Sequence, residues 1–276
     1  MHKKLETAVD VLRRNHVRVQ GEGPRTIVFA HGFGCDQRAW RHVTPDFERD
    51  SRVVLFDYVG CGQSDIGAYD PARYQSLDGY AQDLLDVVGM VADDRPVSLV
   101  AHSVSGMVGV RAAQSEPGRF DRMVMIGPSP HYLNDPPDYF GGFEPADVAA
   151  LLDLMERNLA GWAGSLAPQV MLNDDRPELT QELADSFCAG DPAVIRNFAD
   201  TVFYSDSRTI LAAHAVPTLL MECVGDIIAP PFVLAYLHRH LHGSLLVKVA
   251  ATGHFPHLSH PGETTAVIRG YLDARA

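Results

Sequence analysis

The 276-residue chain has little of several things, and each shortage excludes a class of protein. Its four cysteines, Cys35, Cys61, Cys188 and Cys223, are scattered and form no C-x-x-C pair. That spacing offers neither a disulfide framework nor a thiolate metal site, and it suits a reducing compartment. No apolar run approaches the roughly 18 residues of a membrane span. Basic residues are outnumbered, with 23 Lys and Arg against 35 Asp and Glu, and the net charge of −12 argues against nucleic acid or anionic membrane as partners. The start, Met1-His2-Lys3-Lys4, is basic, but Glu6, Asp10, Arg13 and Arg14 interrupt any apolar signal core, so the expected location is the cytoplasm. A phosphate-cradling loop is missing too. Asp57-Tyr58-Val59-Gly60-Cys61-Gly62-Gln63-Ser64 fits neither G-x-G-x-x-G nor G-K-S/T and is read as structural. There is no internal repeat and no low-complexity segment. What remains, 46% apolar and 21% charged, suffices for one large globular domain or one domain with a sizeable insertion.

Short apolar runs then alternate with helix-length segments. The runs are Thr26–Ala30, Arg52–Phe56, Val97–Ala101, Met123–Ile126, Thr218–Met221 and Leu245–Val249. Four or five residues with little polar alternation predict strands buried on both faces, as in a parallel sheet. Ser76–Val91 repeats its apolar residues at nearly 3.6, with Ser76 as cap, and Ser103–Gln114 and Glu263–Leu272 also read as helices. The pattern predicts a mostly parallel, doubly wound α/β fold. Residues 130–214 break the rhythm. Pro145–Ala160, Pro168–Leu172, Glu178–Phe187 and Pro192–Tyr204 all read as helical, which predicts a helical insertion lying as a lid over the strand ends. The core is then residues 1–129 and 215–276. A separate helical domain is the plainer alternative.

The chemistry centres on Ala101-His102-Ser103-Val104-Ser105-Gly106, which follows a strand and opens a helix. A sharp strand-to-helix turn would push the Ser103 hydroxyl out over the sheet edge, at the positive end of a helix. Ala101 and Ser105 stand where G-x-S-x-G has glycine, but both are small. Taken alone, the motif also admits Ser103 as an ordinary helix cap. Its partners change the balance. Asp226 follows a late strand and His254 follows the last one, giving the order Ser, Asp, His that this architecture requires. Asp226 would fix the imidazole tautomer and His254 would take the Ser103 proton. His31-Gly32-Phe33-Gly34 would let the backbone N–H of Phe33 join that of Val104 in holding an oxyanion. His254, His257 and His260 are spaced by three, but Pro256 and Pro261 exclude a regular helix and no H-E-x-x-H is present, so no metal is expected. Phe143, Trp162, Phe187, Phe198 and Phe203 lie in the insertion. Each alone reads as core, but as a set they would make a pocket beneath the lid apolar.

Several segments carry a family resemblance. They are His102-Ser103-Val104-Ser105-Gly106-Met107, Asp57-Tyr58-Val59-Gly60, Gly127-Pro128-Ser129-Pro130, Tyr132-Leu133-Asn134-Asp135-Pro136-Pro137, Gly141-Gly142-Phe143 and the run Gly253–Pro261. In these the chain resembles the RsbQ-type bacterial stress-signalling α/β-hydrolases and, more distantly, the plant strigolactone and karrikin receptors. The resemblance runs from about residue 10 to the C-terminus. It implies a triad of Ser103, Asp226 and His254, oxyanion donors at Phe33 and Val104, and pocket aromatics at Phe143, Trp162 and Phe203. It also makes Ser105 normal and leaves Ala101 as the departure, where the family has glycine. It implies no cofactor, a small apolar ligand, and a partner that is a phosphatase or another signalling protein carrying a sensory domain. The plant relatives imply slow or single-turnover hydrolysis coupled to a lid change. The competing expectations are a metabolic carboxylesterase or lactonase with no signalling partner, and a non-hydrolytic enzyme on the same triad, such as a perhydrolase or hydroxynitrile lyase. Dehalogenase and epoxide hydrolase chemistry needs an Asp nucleophile where Ser103 stands.

Overall fold

The computed structural model describes residues 10–92 and 95–274; the basic N-terminal start lies outside them. Among the described residues seven strands form one sheet in the order β1-β3-β2-β4-β5-β6-β7. They are β1 (Arg18–Gln20), β2 (Arg25–Ala30), β3 (Ser51–Leu55), β4 (Val97–His102), β5 (Phe120–Ile126), β6 (Thr218–Val224) and β7 (Leu245–Thr252). β1 runs antiparallel to β3, and the other neighbours are parallel. β1 has no counterpart in the apolar runs because it is a short, largely exposed edge. β7 is a second departure. It forms the other edge of the sheet, and its residues alternate in burial instead of being buried on both faces, with Leu245 56% exposed.

Period-two alternation divides the strands between two cores. Val28, Ala30, Val54, Leu99, Ala101, Met123 and Met125 face one side, with helices α1 (Leu77–Val91) and α2 (Ser105–Ser115). Ile27, Phe29, Val53, Val100, Val124 and Ile126 face the other, with Trp40, Phe47, Ile268 and Leu272. Each fully buried Val, Leu, Ile or Phe contributes about 1.5–3 kcal/mol relative to exposure. α1 begins where the sequence predicts, with the Ser76 side chain accepting the Asp78 N–H.

Between β5 and β6 come α3 (Pro145–Arg157), α4 (Leu159–Met171), α5 (Pro177–Phe187) and α6 (Pro192–Phe203). The expected helix over Pro145–Ala160 is divided at Asn158, which ends α3 and caps α4 by accepting the Gly161 N–H at 2.9 Å. α4 also runs through Pro168, where the sequence suggests a start. A proline removes one helical hydrogen bond, and the buried Leu166, Ala167, Val170 and Met171 around it offset that loss. The chain leaving β5 is fastened by isolated bridges His131 to Asp206, Leu133 to Phe143 and Asp135 to Tyr139. α7 (Pro231–His240) and α8 (Pro261–Asp273) complete the sheet layers. Proline stands at the start of α3, α5, α6, α7 and α8, where its missing N–H costs nothing. No described helix is long and apolar enough to cross a membrane.

Candidate active site

β2 has β3 on one side and β4 on the other, so the winding direction reverses between β2 and β4. Open α/β sheets form a crevice at such a point, beyond the carboxyl ends of the strands. The register sets Ala30 opposite Ala101. The two turns that follow, His31-Gly32-Phe33 and His102-Ser103-Val104, are therefore side by side. Ser103 has φ +57, a left-handed conformation that is rare for a side-chain-bearing residue. Its N–H donates to Ile126 O at 2.8 Å, tying the elbow to β5. Ser105 does more than fit the crowded turn. Its hydroxyl donates to His31 O at 2.5 Å and receives the Tyr58 hydroxyl at 3.0 Å, so it fastens one turn to the other. Gly32 has no room for a side chain, since a Cβ there would stand 2.4 Å from His102 Nδ1 and 3.2 Å from Ser103 Cβ.

His254 Nε2 lies 2.8 Å from Ser103 Oγ, and His254 Nδ1 lies 2.7 Å from Asp226 Oδ2. Asp226 Oδ1 accepts the N–H groups of Ile228 and Ala229 at 2.9 and 3.0 Å. The carboxylate is thus held from both sides, and the Nδ1 proton has an acceptor. That tautomer leaves the Nε2 lone pair facing the Ser103 hydroxyl. Two further contacts, invisible in the sequence, seat His254. Its N–H donates to Val170 O at 2.7 Å, one of the carbonyls that the last turn of α4 leaves free, and its carbonyl accepts His102 Nε2–H at 2.8 Å. His102 is fully enclosed; burial first, then the charges of His257 and His254, hold it well below the ordinary histidine range. Asp135, which follows the earlier strand β5, is apart from this arrangement in its contacts: it pairs with Arg208 at 2.9 Å on the surface.

Over Ser103 and His254 lies a small cavity of about 40 Å³, walled by both the sheet end and the insertion. Phe33, Phe187 and Phe203 line it, together with Leu166, Val170 and Val202. The other expected pocket aromatics stand one layer back. Trp162 packs on Phe33 and Phe187 with centroids 6.2 and 5.1 Å away, Phe198 packs on Phe33 at 5.4 Å, and Phe143 packs on Phe203 at 5.9 Å. Tyr132 is a lining residue that the pattern does not reveal. Its hydroxyl is buried beside Ser103, with which it makes no more than a weak contact; burial pushes its phenol up, against the pull of Ser103. The available signal was its place in the turn leaving β5, the strand next to the serine strand. Among the described residues no acceptor is paired with the backbone N–H of Phe33 or of Val104.

The histidines spaced by three diverge. His254 joins Ser103, His257 stacks on Trp40 with centroids 4.6 Å apart, and His260 bonds Ser259. Among the described residues no group of three or more His, Cys, Asp or Glu side chains could hold a metal ion.

Comparison with known proteins agrees with this architecture. The profile described as "Alpha/beta hydrolase family" matches residues 27–267. The chain is 37% identical over 252 residues to "Strigolactone esterase RMS3" of Pisum sativum, covering 91% of this chain and 94% of that protein. It is 36% identical over 259 residues to "Karrikin insensitive 2 receptor CA" of Petunia hybrida, covering 94% and 95%. The solved structure of olei00960, a hydrolase from Oleispira antarctica, superposes with a TM-score of 0.94 at 39% identity, covering 97% of this chain and 98% of that one. The chain belongs to the α/β hydrolase family.

Proposed function

We propose that the chain is a serine hydrolase acting on a small, uncharged ester or lactone. The observation that carries this reading is the hydrogen-bonded line Ser103–His254–Asp226 opening into an apolar cavity. Ser103 Oγ attacks the ester carbonyl while its proton passes to His254 Nε2, and Asp226 stabilises the imidazolium that forms. The oxygen that gains charge is held by the free N–H groups of Phe33 and Val104. His254 then returns the proton to the leaving alcohol, and water cleaves the acyl-serine by the same steps. Burying a charge without a partner costs several kcal/mol, so the apolar walls favour an uncharged ligand.

Residues 130–214 act as a lid on a core of residues 1–129 and 215–276. The resemblance to RsbQ-type regulators, and the likeness to a protein named as a receptor, support a signalling role in the cytoplasm, in which ligand in this pocket is sensed by a phosphatase or another sensor-domain partner. A fluorophosphonate probe should label Ser103, and Ser103→Ala should lose both labelling and esterase activity; labelling that persists at another serine would overturn the assignment. For the lid, Trp162→Ala should leave labelling intact but weaken ligand binding, and hydrogen exchange across residues 130–214 should slow when ligand enters. A metabolic carboxylesterase or lactonase is the second reading, favoured by the likeness to a protein named as an esterase. A kcat of about 1 s⁻¹ or more on short esters, with no partner captured, would decide for it.

A further inference from the structure

A second small cavity, of about 30 Å³, adjoins the one over Ser103. Phe33 and Phe187 belong to the walls of both, stacked with centroids 6.4 Å apart. Behind them Phe198 stacks on Tyr80 at 4.3 Å. The far wall is the Gly60–Gly62 loop. Gly60, at φ +94, brings the backbone so close to Val194 that a Cβ would lie 2.5 Å from its Cγ1. Asp57 pins this loop by accepting the N–H groups of Gln37 and Gln63, each at 2.9 Å. The segment Asp57–Ser64 thus builds one wall of a chamber.

Among the described residues lining the chamber, one has an unsatisfied side-chain oxygen or nitrogen. Tyr80 is 1% exposed and its hydroxyl has no partner. The other polar side chains on the wall are engaged: Asp36 holds Arg38, and the Ser186 hydroxyl donates to Gly34 O. A buried water typically makes about three hydrogen bonds, and Tyr80 offers only one. An apolar group carrying a single acceptor oxygen suits the space better than water does.

We propose that this chamber is a second subsite of the ligand pocket. It receives the far end of the ester seated over Ser103, an apolar chain or ring bearing a carbonyl or ether oxygen, to which the Tyr80 hydroxyl donates. The ligand passes the half-buried Phe33 ring or Phe187, one of which turns aside. The assignment rests on the proposed ester chemistry only for the half of the ligand over Ser103.

The test is binding, read by tryptophan fluorescence in full-length Ser103→Ala protein, of ethyl acetate, ethyl octanoate and ethyl 7-oxooctanoate. In the parent the two long esters should bind more tightly than the acetate, and the oxo ester most tightly. Val194→Trp fills the chamber, and displacing two or more methylenes should weaken the long esters by about tenfold or more. Ala189→Trp, at the exposed rim of the same chamber, should act in the same direction and decides the matter if Val194→Trp does not fold. Tyr80→Phe should erase the advantage of the oxo ester, about threefold to tenfold, while leaving the octanoate affinity in place. Long esters that bind no more tightly than acetate, or that bind equally well to the folded tryptophan variants, overturn the subsite. An oxo preference that survives Tyr80→Phe overturns the role of Tyr80. If the binding pattern holds but wild-type protein hydrolyses none of the three, the subsite stands and the hydrolase reading falls.

Discussion

Replacing Asp226 by Asn tests the site with a change of a few atoms. Asp226 is 3% exposed and its two oxygens face different partners. Oδ1 accepts two backbone N–H groups, from Ile228 and Ala229, and Oδ2 lies 2.7 Å from His254 Nδ1. An amide has only one acceptor oxygen. Turning its NH2 toward Ile228 and Ala229 would set donors against donors, so the oxygen stays there and the NH2 must point at His254. His254 Nδ1 then has to accept, and the imidazole proton moves to Nε2, where it faces Ser103 Oγ. No lone pair remains to take the serine proton. A wrong tautomer in a triad of this kind costs about 10²–10⁴-fold, or about 3–5 kcal/mol of barrier. The assay is kcat on p-nitrophenyl acetate, with the rate of fluorophosphonate labelling as a second reading and circular dichroism as the folding control. Asp135→Asn is the matched comparison. It disturbs a surface pair with Arg208, a kind of contact that contributes about 0–1 kcal/mol to stability, and should leave the rate within about twofold. An Asp226→Asn enzyme with more than a tenth of the wild-type rate, or an Asp135→Asn enzyme that loses a hundredfold, would refute the reasoning.

Three further outcomes follow from the same geometry. Gly32→Ala should cost about 10²–10³-fold in kcat along with some stability, because its Cβ meets the buried His102 Nδ1 and would force the Phe33 N–H off the oxyanion position; an unchanged rate in the folded variant would remove Phe33 from the oxyanion hole. Tyr132→Phe should leave the melting temperature nearly unchanged, since the buried hydroxyl makes no more than a weak contact with Ser103, while kcat/KM falls about threefold to tenfold through a lost hydrogen bond to substrate; a lower melting temperature with unchanged kinetics would make Tyr132 merely structural. Stability should decline in acid: burial pushes His257 down to about 3, against about 6.5 in the unfolded chain. The unfolded state therefore takes the proton first, and stability falls as the pH drops from about 6.5 toward 3, by up to about 1.4 kcal/mol per pH unit for each such histidine. His102 shifts in the same direction, so His257→Leu should reduce the slope of urea-unfolding free energy between pH 6 and pH 4.5 without abolishing it, and an unchanged slope would count against the assignment.

The parts of the molecule that were legible in the sequence are those fixed by neighbours along the chain. A strand buried on both faces announces itself by composition, and Ser103 and Asp226 each follow such a strand at its carboxyl end, whereas His254 follows the edge strand β7. The edge strands β1 and β7 carry half of that signal or less, because one side of each has no neighbouring strand. The pocket aromatics were harder for a geometric reason. Phe198 and Phe203 both sit on α6 and look equivalent as text. Five residues along a helix turn them apart by about 140°, and each faces a different chamber: Phe203 the one over Ser103, Phe198 the one beside Tyr80. Which face of an inserted helix turns inward depends on how it packs, and Asn158 alters that packing by dividing one apparent helix into two.

The same packing bears on how the insertion and the sheet share the chemistry. α4 ends with a left-handed Leu172, and the carbonyls of its last turn lie against the loop after β7. A Cβ on Gly253 would stand 2.3 Å from Met171 O and 2.7 Å from Val170 O, so glycine is what lets the helix end approach. Val170 O then accepts the N–H of His254, while His102, one residue before Ser103, donates to its carbonyl. The histidine is therefore gripped between the insertion and the serine strand, and neither half of the grip belongs to the loop that carries it. A displacement of α4 that covers or uncovers the cavity must also pull on the residue that would move the proton.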